Sequence, residues 1–251
     1  MRSRKAATRG SLDAAARQAR GQRATTGMVN ARTPGALPRR QRSDPQSPAN
    51  GEKDEAAWPT KRAVDECRRC PLWERATQGV AGEGPRSARL VLVGEQPGDE
   101  EDLAGRPFVG PAGRMLRGLL DELGIDHASV YITNAVKHFS WEPRGKRRLH
   151  KTPAQREMEA CHIWLEGELE TLKPRVIVAL GATALAALMR RRIKVGEARE
   201  SVLHLPEGIR LMATFHPSAV LRAPDPERKD ELMRLLRDDL EAAARLAGLL
   251  K

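Results

Sequence analysis

Four short apolar runs separated by helix-like stretches constrain the fold of this chain more than any other feature. Each run has the length and the Val, Leu and Ile content of a strand that is buried on both faces. The runs occupy residues 89–94, 130–133, 175–180 and 209–215. Because amphipathic stretches lie between them, the alternation predicts an α/β fold, with three α/β/α layers and a central, mainly parallel four-stranded sheet.

Polar side chains follow three of these runs, at the point where each predicted strand ends. Glu95 comes after the first run, Asn134 after the second and His216 after the fourth. Ligands of parallel sheets bind beyond the carboxyl ends of the strands. We therefore expect these three side chains to share one site, although a lone histidine is more often structural.

The positive charge of the chain is concentrated at its N-terminus. The 251 residues have a formal net charge of +11, of which residues 1–50 contribute +9 through eleven basic and two acidic residues. This bias and the Pro-rich stretch that follows predict a basic, disordered extension over residues 1–57 and one folded domain over residues 58–251. The extension either binds nucleic acid through counterion release or has no defined role, and both alternatives stay open.

Hydropathy excludes two classes of protein. No apolar run reaches the ~18 residues that a membrane span requires. No apolar segment follows the first basic residues, as a secretory signal would require. We therefore expect a cytoplasmic, monomeric protein without a membrane partner.

The cysteines indicate a metal or cluster site. Three cysteines are too few for a disulfide framework, and Cys67 and Cys70 form a Cys-x-x-Cys pair. In a reducing cytosol such a pair is typical of metal binding. The third cysteine, Cys161, lies in a predicted helix.

Several segments, in this order along the chain, resemble the iron–sulfur branch of the uracil-DNA glycosylase superfamily. They are the Cys-x-x-Cys pair, the Gly-Glu-Gln-Pro-Gly-Asp loop 94–99, the loop 105–113, Asn134 and the His-Pro-Ser segment 216–218. The resemblance covers residues 60–245. It implies the fold of that superfamily and the excision of uracil from single- or double-stranded DNA, with the protein on the nucleoid when it is bound.

A basic segment narrows the resemblance to the UdgX type. Residues 145–150 read Gly-Lys-Arg-Arg-Leu-His, which is similar to the His-terminated loop of that type, where Ile usually replaces Leu149. Gln96 matches too, since ordinary members carry Ala there. The resemblance implies that His150 bonds to the abasic sugar, so that each molecule reacts once. It also implies contacts with DNA phosphates from Lys146, Arg147 and Arg148, although alone this segment is equally typical of a solvated loop.

The remaining roles combine this resemblance with the chemistry of an extruded base. Asn134 offers a donor and an acceptor to the uracil edge, and Phe108 offers a stacking surface or is only a core residue. His216 would hydrogen-bond the departing uracil anion, while Glu95 would stabilise the sugar cation and orient the nucleophile. The implied substrate-binding set is Gln96, Phe108, Asn134 and Ser218.

The resemblance also implies a 4Fe-4S cluster. Its ligands would be Cys67, Cys70 and Cys161, with His138 at the position where the family has a fourth Cys. His162 is the rival fourth ligand, but it follows Cys161 directly in a predicted helix and points about 100° away. The same set of three Cys and one His also suits a structural zinc ion.

Two other functions stay open at this point. A conventional uracil-DNA glycosylase would use water as the nucleophile and would turn over. A non-catalytic module would bind uracil or abasic DNA with the same pocket. Retention of Glu95 and His150 favours an enzyme over the binding module.

Overall fold

The computed structural model describes residues 58–251. The predicted extension over residues 1–57, with its contact to nucleic acid, lies outside the described residues. Within the described part of the chain, none of the helices is both long enough and apolar enough to cross a membrane.

A five-stranded sheet forms the centre of the domain. The described strands are β1 (Leu90–Gly94), β2 (Val130–Asn134), β3 (Trp141–Arg144), β4 (Arg147–His150), β5 (Val176–Leu180), β6 (Leu203–His204) and β7 (Arg210–Thr214). The sheet has the order β2-β1-β5-β7-β6, and its first four strands are parallel. The predicted fold class is confirmed. The sheet gains an antiparallel edge strand, β6, which is too short to form a recognisable sequence pattern.

Helices cover both faces of this sheet. They are α1 (Lys61–Asp65), α2 (Asp99–Ala104), α3 (Pro111–Glu122), α4 (Gln155–Leu172), α5 (Ala182–Met189), α6 (Val195–Ala198), α7 (Pro217–Leu221) and α8 (Pro226–Ala247). Side chains of a strand alternate between its two faces. Leu90 and Leu92 accordingly pack in one core cluster with α3 and α8, whereas Val91 and Val93 pack in another with α4 and α5.

The strand register brings the carboxyl ends of the parallel strands level with one another. Gly94 pairs with Asn134 across β1 and β2, and Leu180 pairs with Thr214 across β5 and β7. The residues that follow these strands therefore meet at one edge of the sheet, as the sequence predicts.

The basic segment between β2 and α4 is a β-hairpin rather than the predicted loop. Strands β3 and β4 pair antiparallel, with Trp141 opposite His150 and Arg144 opposite Arg147. The two residues between them form a tight turn, and Gly145 at its first position has a φ of 60°. Glycine tolerates that left-handed conformation, which suits a two-residue hairpin turn.

Helix α4 begins at Gln155, shortly after the Thr152–Pro153 pair. Its N-cap is Ala154, whose backbone N–H donates to the Glu157 carboxylate at 2.7 Å. The Glu157 carboxylate in the first turn thus satisfies the backbone N–H of the N-cap residue, which would otherwise hydrogen-bond only to solvent.

Candidate active site

A cleft of about 530 Å³ opens at the carboxyl edge of the parallel strands. It is lined by every residue that the sequence predicts as catalytic or substrate-binding. These are Glu95, Gln96, Phe108, Asn134, His150, His216 and Ser218. The ends of the four parallel strands and the hairpin all contribute residues to this cleft, so the fold places the predicted residues in one site.

Glu95 follows β1 directly and is the central acid of the cleft. The Thr183 hydroxyl donates to its Oε2, and the Nε2 of His150 lies 3.2 Å from its Oε1. This ion-pair contact does not meet hydrogen-bond geometry, so Oε1 is a buried acceptor without a hydrogen bond among the described residues. Burial raises the pKa of Glu95, but the His150 imidazole and the Thr183 hydroxyl lower it more. The net pKa lies below the ordinary value, and the carboxylate is ionised at neutral pH.

His150 ends strand β4 and projects into the cleft from the hairpin. Its side chain is 51% exposed, whereas that of Glu95 beside it is 21% exposed. The ring is tilted against Phe139, with 6.4 Å between the ring centroids. The hairpin therefore presents an accessible imidazole to a largely buried carboxylate, which is an arrangement suited to nucleophilic attack.

The Gln96 amide fastens both ends of the hairpin. Its Nε2 donates to the carbonyl oxygens of Ser140 and Lys151 at 3.1 Å each, and its Oε1 accepts the Ser140 N–H at 2.9 Å. These partners occupy both amide protons, which the prediction of a substrate-binding role did not anticipate. Contact between Gln96 and uracil stays a prediction, whereas its contact with the hairpin is part of the fold.

Arg148 fastens the hairpin to α2. Its guanidinium contacts Asp99 at 2.5 Å and the fully buried Asp102 at 2.6 Å. Two carboxylates thus neutralise a cation that the sequence assigns to DNA phosphates. The sequence did not indicate this contact, because Arg148 and Asp102 are 46 residues apart in the chain. Lys146 and Arg147 are exposed at the tip of the hairpin. Phosphate binding stays a prediction for all three, and the structure gives Arg148 an additional internal contact.

The acidic run 99–102 forms the first four residues of helix α2. Besides the two aspartates paired with Arg148, Glu100 pairs with Arg114 at 2.8 Å. The Glu101 carboxylate accepts the backbone N–H groups of Gly98 and Gly110. This run therefore holds the rim of the cleft together.

Asn134 and Phe108 both line the cleft, and both lie beside Gly94. A Cβ atom on Gly94 would stand 2.4 Å from the Asn134 Oδ1 and 2.6 Å from the Phe108 Cζ, so glycine is required between them. Phe108 has a left-handed φ of 53° and belongs to the core cluster while it also lines the cleft. Phe108 is therefore a core residue that also lines the cleft, and its stacking on uracil stays a prediction.

Ser218 holds the His216 ring in one tautomer. Its Nδ1 accepts the Ser218 N–H at 3.1 Å and lies 2.8 Å from the Ser218 hydroxyl. Burial lowers the pKa of His216 to about 4, although the nearby Glu95 carboxylate opposes this. The ring is therefore neutral at pH 7 and carries its proton on Nε2, as a hydrogen-bond donor. The predicted substrate-binding residue Ser218 contacts the His216 ring.

Thr183 is a site residue that the sequence analysis missed. It lies in the first turn of α5, just beyond Gly181, and reaches Glu95 across 88 residues of chain. A signal existed, because β5 ends at the same sheet edge as the other three parallel strands. A hydroxyl three residues after that strand was a candidate on position alone.

The three cysteines lie near one another on the far side of Asn134. The backbone N–H of Lys137 donates to the Cys161 Sγ at 3.2 Å, and the Trp164 indole donates to the Cys67 Sγ at 3.3 Å. Burial raises the pKa of Cys161 to about 12, and the neighbouring Cys70 and Cys67 add to this effect. Sulfur atoms that accept N–H groups are typical of cluster ligands.

The histidines differ in their relation to this cysteine group. His138 is buried, its pKa is lowered mainly by that burial, and the charges nearest to it include Asp65 and Arg68 beside Cys67. The charges near His162 are instead Arg190 and Glu166. Within residues 58–251, no three His, Cys, Asp or Glu side chains already converge on one point as they would around a single metal ion.

Comparison with known proteins identifies the family. The family described as "Uracil DNA glycosylase superfamily" matches residues 81–241. The type-4 uracil-DNA glycosylase of Thermotoga maritima is 42% identical over 72% of this chain and 88% of its own length. A type-4 uracil-DNA glycosylase of Pyrobaculum aerophilum is 40% identical over 64% of this chain and 82% of its own length. The type-5 uracil-DNA glycosylase of that organism is 30% identical over 63% of this chain and 74% of its own length. The chain belongs to the uracil-DNA glycosylase superfamily.

Proposed function

We propose that this chain excises uracil from DNA and becomes covalently bonded to the abasic sugar through His150. The observation that carries the proposal is the contact between His150 and Glu95 within the cleft that also holds Asn134 and His216. Membership of the superfamily and the type-4 relatives support the excision of uracil. The contact between Glu95 and His150, which lies on the hairpin, supports the covalent step.

The cleft has the groups that an extruded uracil requires. A base must leave the helical stack before its glycosidic bond is accessible. Asn134 offers an amide donor and acceptor to the base edge, and Phe108 offers an aromatic ring. Uracil carries away the electron pair of the glycosidic bond, and the neutral His216 donates its Nε2–H to the developing anion. The ionised Glu95 stabilises the positive charge that forms on the sugar.

The covalent step uses the lone pair of a His150 ring nitrogen. The bond between C1′ and uracil breaks first, and the uracil anion leaves with the bonding electrons. The His150 nitrogen then forms a bond to C1′ of the sugar cation. The adduct then loses the proton of the imidazolium ring, and Glu95 is the nearest base that accepts it. Because the new bond blocks the cleft, each protein molecule reacts once.

The cysteine group fits a 4Fe-4S cluster held by Cys67, Cys70, Cys161 and His138. Two of the sulfur atoms accept N–H groups, which are the hydrogen bonds that thiolate ligands of clusters receive. When bound, such a cluster supplies a structural clamp and no step of the excision. Protein purified without oxygen should carry about four irons per chain and absorb near ~400 nm. Stoichiometric zinc without iron would support the structural zinc site instead.

The test of the proposed function is a denaturing gel with a labelled, uracil-containing oligonucleotide, in single- and double-stranded form. A band of higher mass that survives heat and detergent is expected, and a thymine-containing oligonucleotide of the same sequence is the control. Strand cleavage by alkali without a shifted band would show a conventional enzyme that turns over. Neither product, together with tight binding, would show a non-catalytic module.

A further inference from the structure

A fully buried ion pair lies behind the cleft, between Lys137 and Glu168. Both side chains are 0% exposed, and the Lys137 Nζ lies 2.8 Å from the Glu168 Oε2. The Lys137 ammonium also donates to the Thr133 Oγ1 at 2.7 Å and to the Asn134 carbonyl oxygen at 2.9 Å. Three acceptors therefore satisfy the three protons of a cation that the reaction does not use.

Glu168 is also completely satisfied. Its carboxylate accepts the Gly82 N–H, the Tyr131 hydroxyl and the Thr133 hydroxyl, in addition to the Lys137 ammonium. A buried ion pair contributes little net stability, because desolvation opposes the attraction, and apolar pairs of equal size often replace it without loss. The retention of a pair at this position calls for another explanation, which its partners supply.

The partners of Lys137 connect the base-reading residue to the cysteine group. The ammonium holds the backbone carbonyl of Asn134, while the backbone N–H of the same lysine donates to the Cys161 Sγ. Glu168 lies seven residues after Cys161 in α4, a spacing that places both on one face of the helix. Lys137 thus joins the end of β2 to the face of α4 that carries a proposed cluster ligand.

The Asn134 amide depends on this backbone contact. Among the described residues, Asn134 is held through its backbone, and its side-chain amide has no hydrogen bond. An amide that must present one donor and one acceptor to a base requires a fixed orientation. Two contacts hold the peptide from which that amide projects: the Lys137 ammonium donates to the Asn134 carbonyl oxygen, and the Ala135 N–H donates to the Gly94 carbonyl oxygen.

We infer that Lys137 is a positioning residue for uracil recognition: with Glu168 it fixes the Asn134 peptide relative to α4 and so sets the direction of the Asn134 amide. The inference rests on the proposed function, because it assumes that Asn134 reads uracil. It assigns no chemical step to Lys137. Loss of the pair should therefore weaken the preference for uracil more than it weakens binding to DNA.

The test is the double variant Lys137→Met with Glu168→Gln, because Lys137→Met alone leaves a buried carboxylate without its cation. Fluorescence anisotropy would compare two probes at equilibrium. One oligonucleotide carries a 2′-fluorinated deoxyuridine, which resists cleavage, and the other carries a tetrahydrofuran abasic analogue. The pair Arg199→Met with Asp239→Asn, which removes another largely buried ion pair between the C-cap of α6 and α8, is the matched control.

We expect the double variant to lose about tenfold in affinity for the uracil probe, which is the value of about one hydrogen bond, and to keep its affinity for the abasic probe. Its visible absorbance per chain should equal that of the wild type, and the control pair should keep the uracil preference. Equal losses for both probes, or an unchanged preference, would overturn the inference. A wild-type chain without any preference for uracil would instead contradict the proposed function.

Discussion

Gly94 determines how closely the two uracil-reading groups approach each other. It ends β1 between the Asn134 amide and the Phe108 ring, and a Cβ atom there would overlap both. A side chain at this position would require the Asn134 amide or the Phe108 ring to shift, so Gly94 leaves both groups their room beside the cleft.

The role of His150 is separable from bond breaking. In the variant His150→Ala, Glu95 and His216 remain, so the chain should still release uracil, while water enters the vacated space. The adduct should disappear and the enzyme should turn over, as a denaturing gel followed by alkali cleavage would show. The variant Glu95→Gln should instead depress both events by ~10²–10⁴-fold. Stable adducts formed by His150→Ala would contradict the proposed bond.

Thr183 should act through the ionisation of Glu95. Its hydroxyl is one of the groups that hold the Glu95 pKa below the ordinary value, so Thr183→Val should raise that pKa. Glu95 is required as a carboxylate, and the acid limb of the excision rate should therefore move to higher pH, with little change at neutral pH, where Glu95 stays ionised.

The matched control for this prediction is Thr183→Ser, which keeps the hydroxyl and removes only a methyl group. Single-turnover excision rates of both variants would be measured across the acid range. An acid limb that stays at the wild-type pH in Thr183→Val would show that Thr183 supports the fold alone.

At the scale of elements, the β3–β4 hairpin is a separately fastened unit that carries the nucleophile. Gln96 holds its two ends, and Arg148 holds its second strand to α2. The sheet edge, which carries Glu95, Asn134 and His216, is held by strand pairing and by two core clusters. The two halves of the cleft therefore depend on different contacts.

This separation predicts an unequal effect of Gln96→Met, which removes three hydrogen bonds to the hairpin and keeps a similar side-chain volume. Uracil release should fall only a few-fold, whereas adduct formation should fall at least about tenfold, because His150 loses its fixed position. Both yields are measurable on one gel, with the exposed Glu142→Gln on the same hairpin as the control. Parallel losses would show that Gln96 contacts uracil, as the sequence alone predicts.

At the scale of the whole molecule, the sequence predicts what depends on local pattern. The apolar runs identify all four parallel strands, and the residues after them identify Glu95, Asn134 and His216. The sequence does not show contacts between charged residues that are far apart in the chain. Arg148 and Asp102 are 46 residues apart, and Lys137 and Glu168 are 31 residues apart. Charged side chains are expected at the surface, so a buried Lys–Glu pair has no local signal. The hairpin was missed because its turn consists only of Gly145 and Lys146.

The uneven charge of the chain gives the last prediction. Residues 1–50 carry +9 of the formal charge, and the remaining residues carry only +2. Deleting residues 1–50 should leave uracil excision intact, because every predicted site residue lies in residues 58–251. Binding to DNA without uracil should weaken and should depend less steeply on salt, since each phosphate contact contributes about 0.9 to the slope of log K against log salt. Anisotropy titrations of both chains from low to physiological salt measure this slope. Loss of excision in the shortened chain would place the domain boundary before residue 50, and an unchanged slope would leave the basic extension without a role in DNA binding.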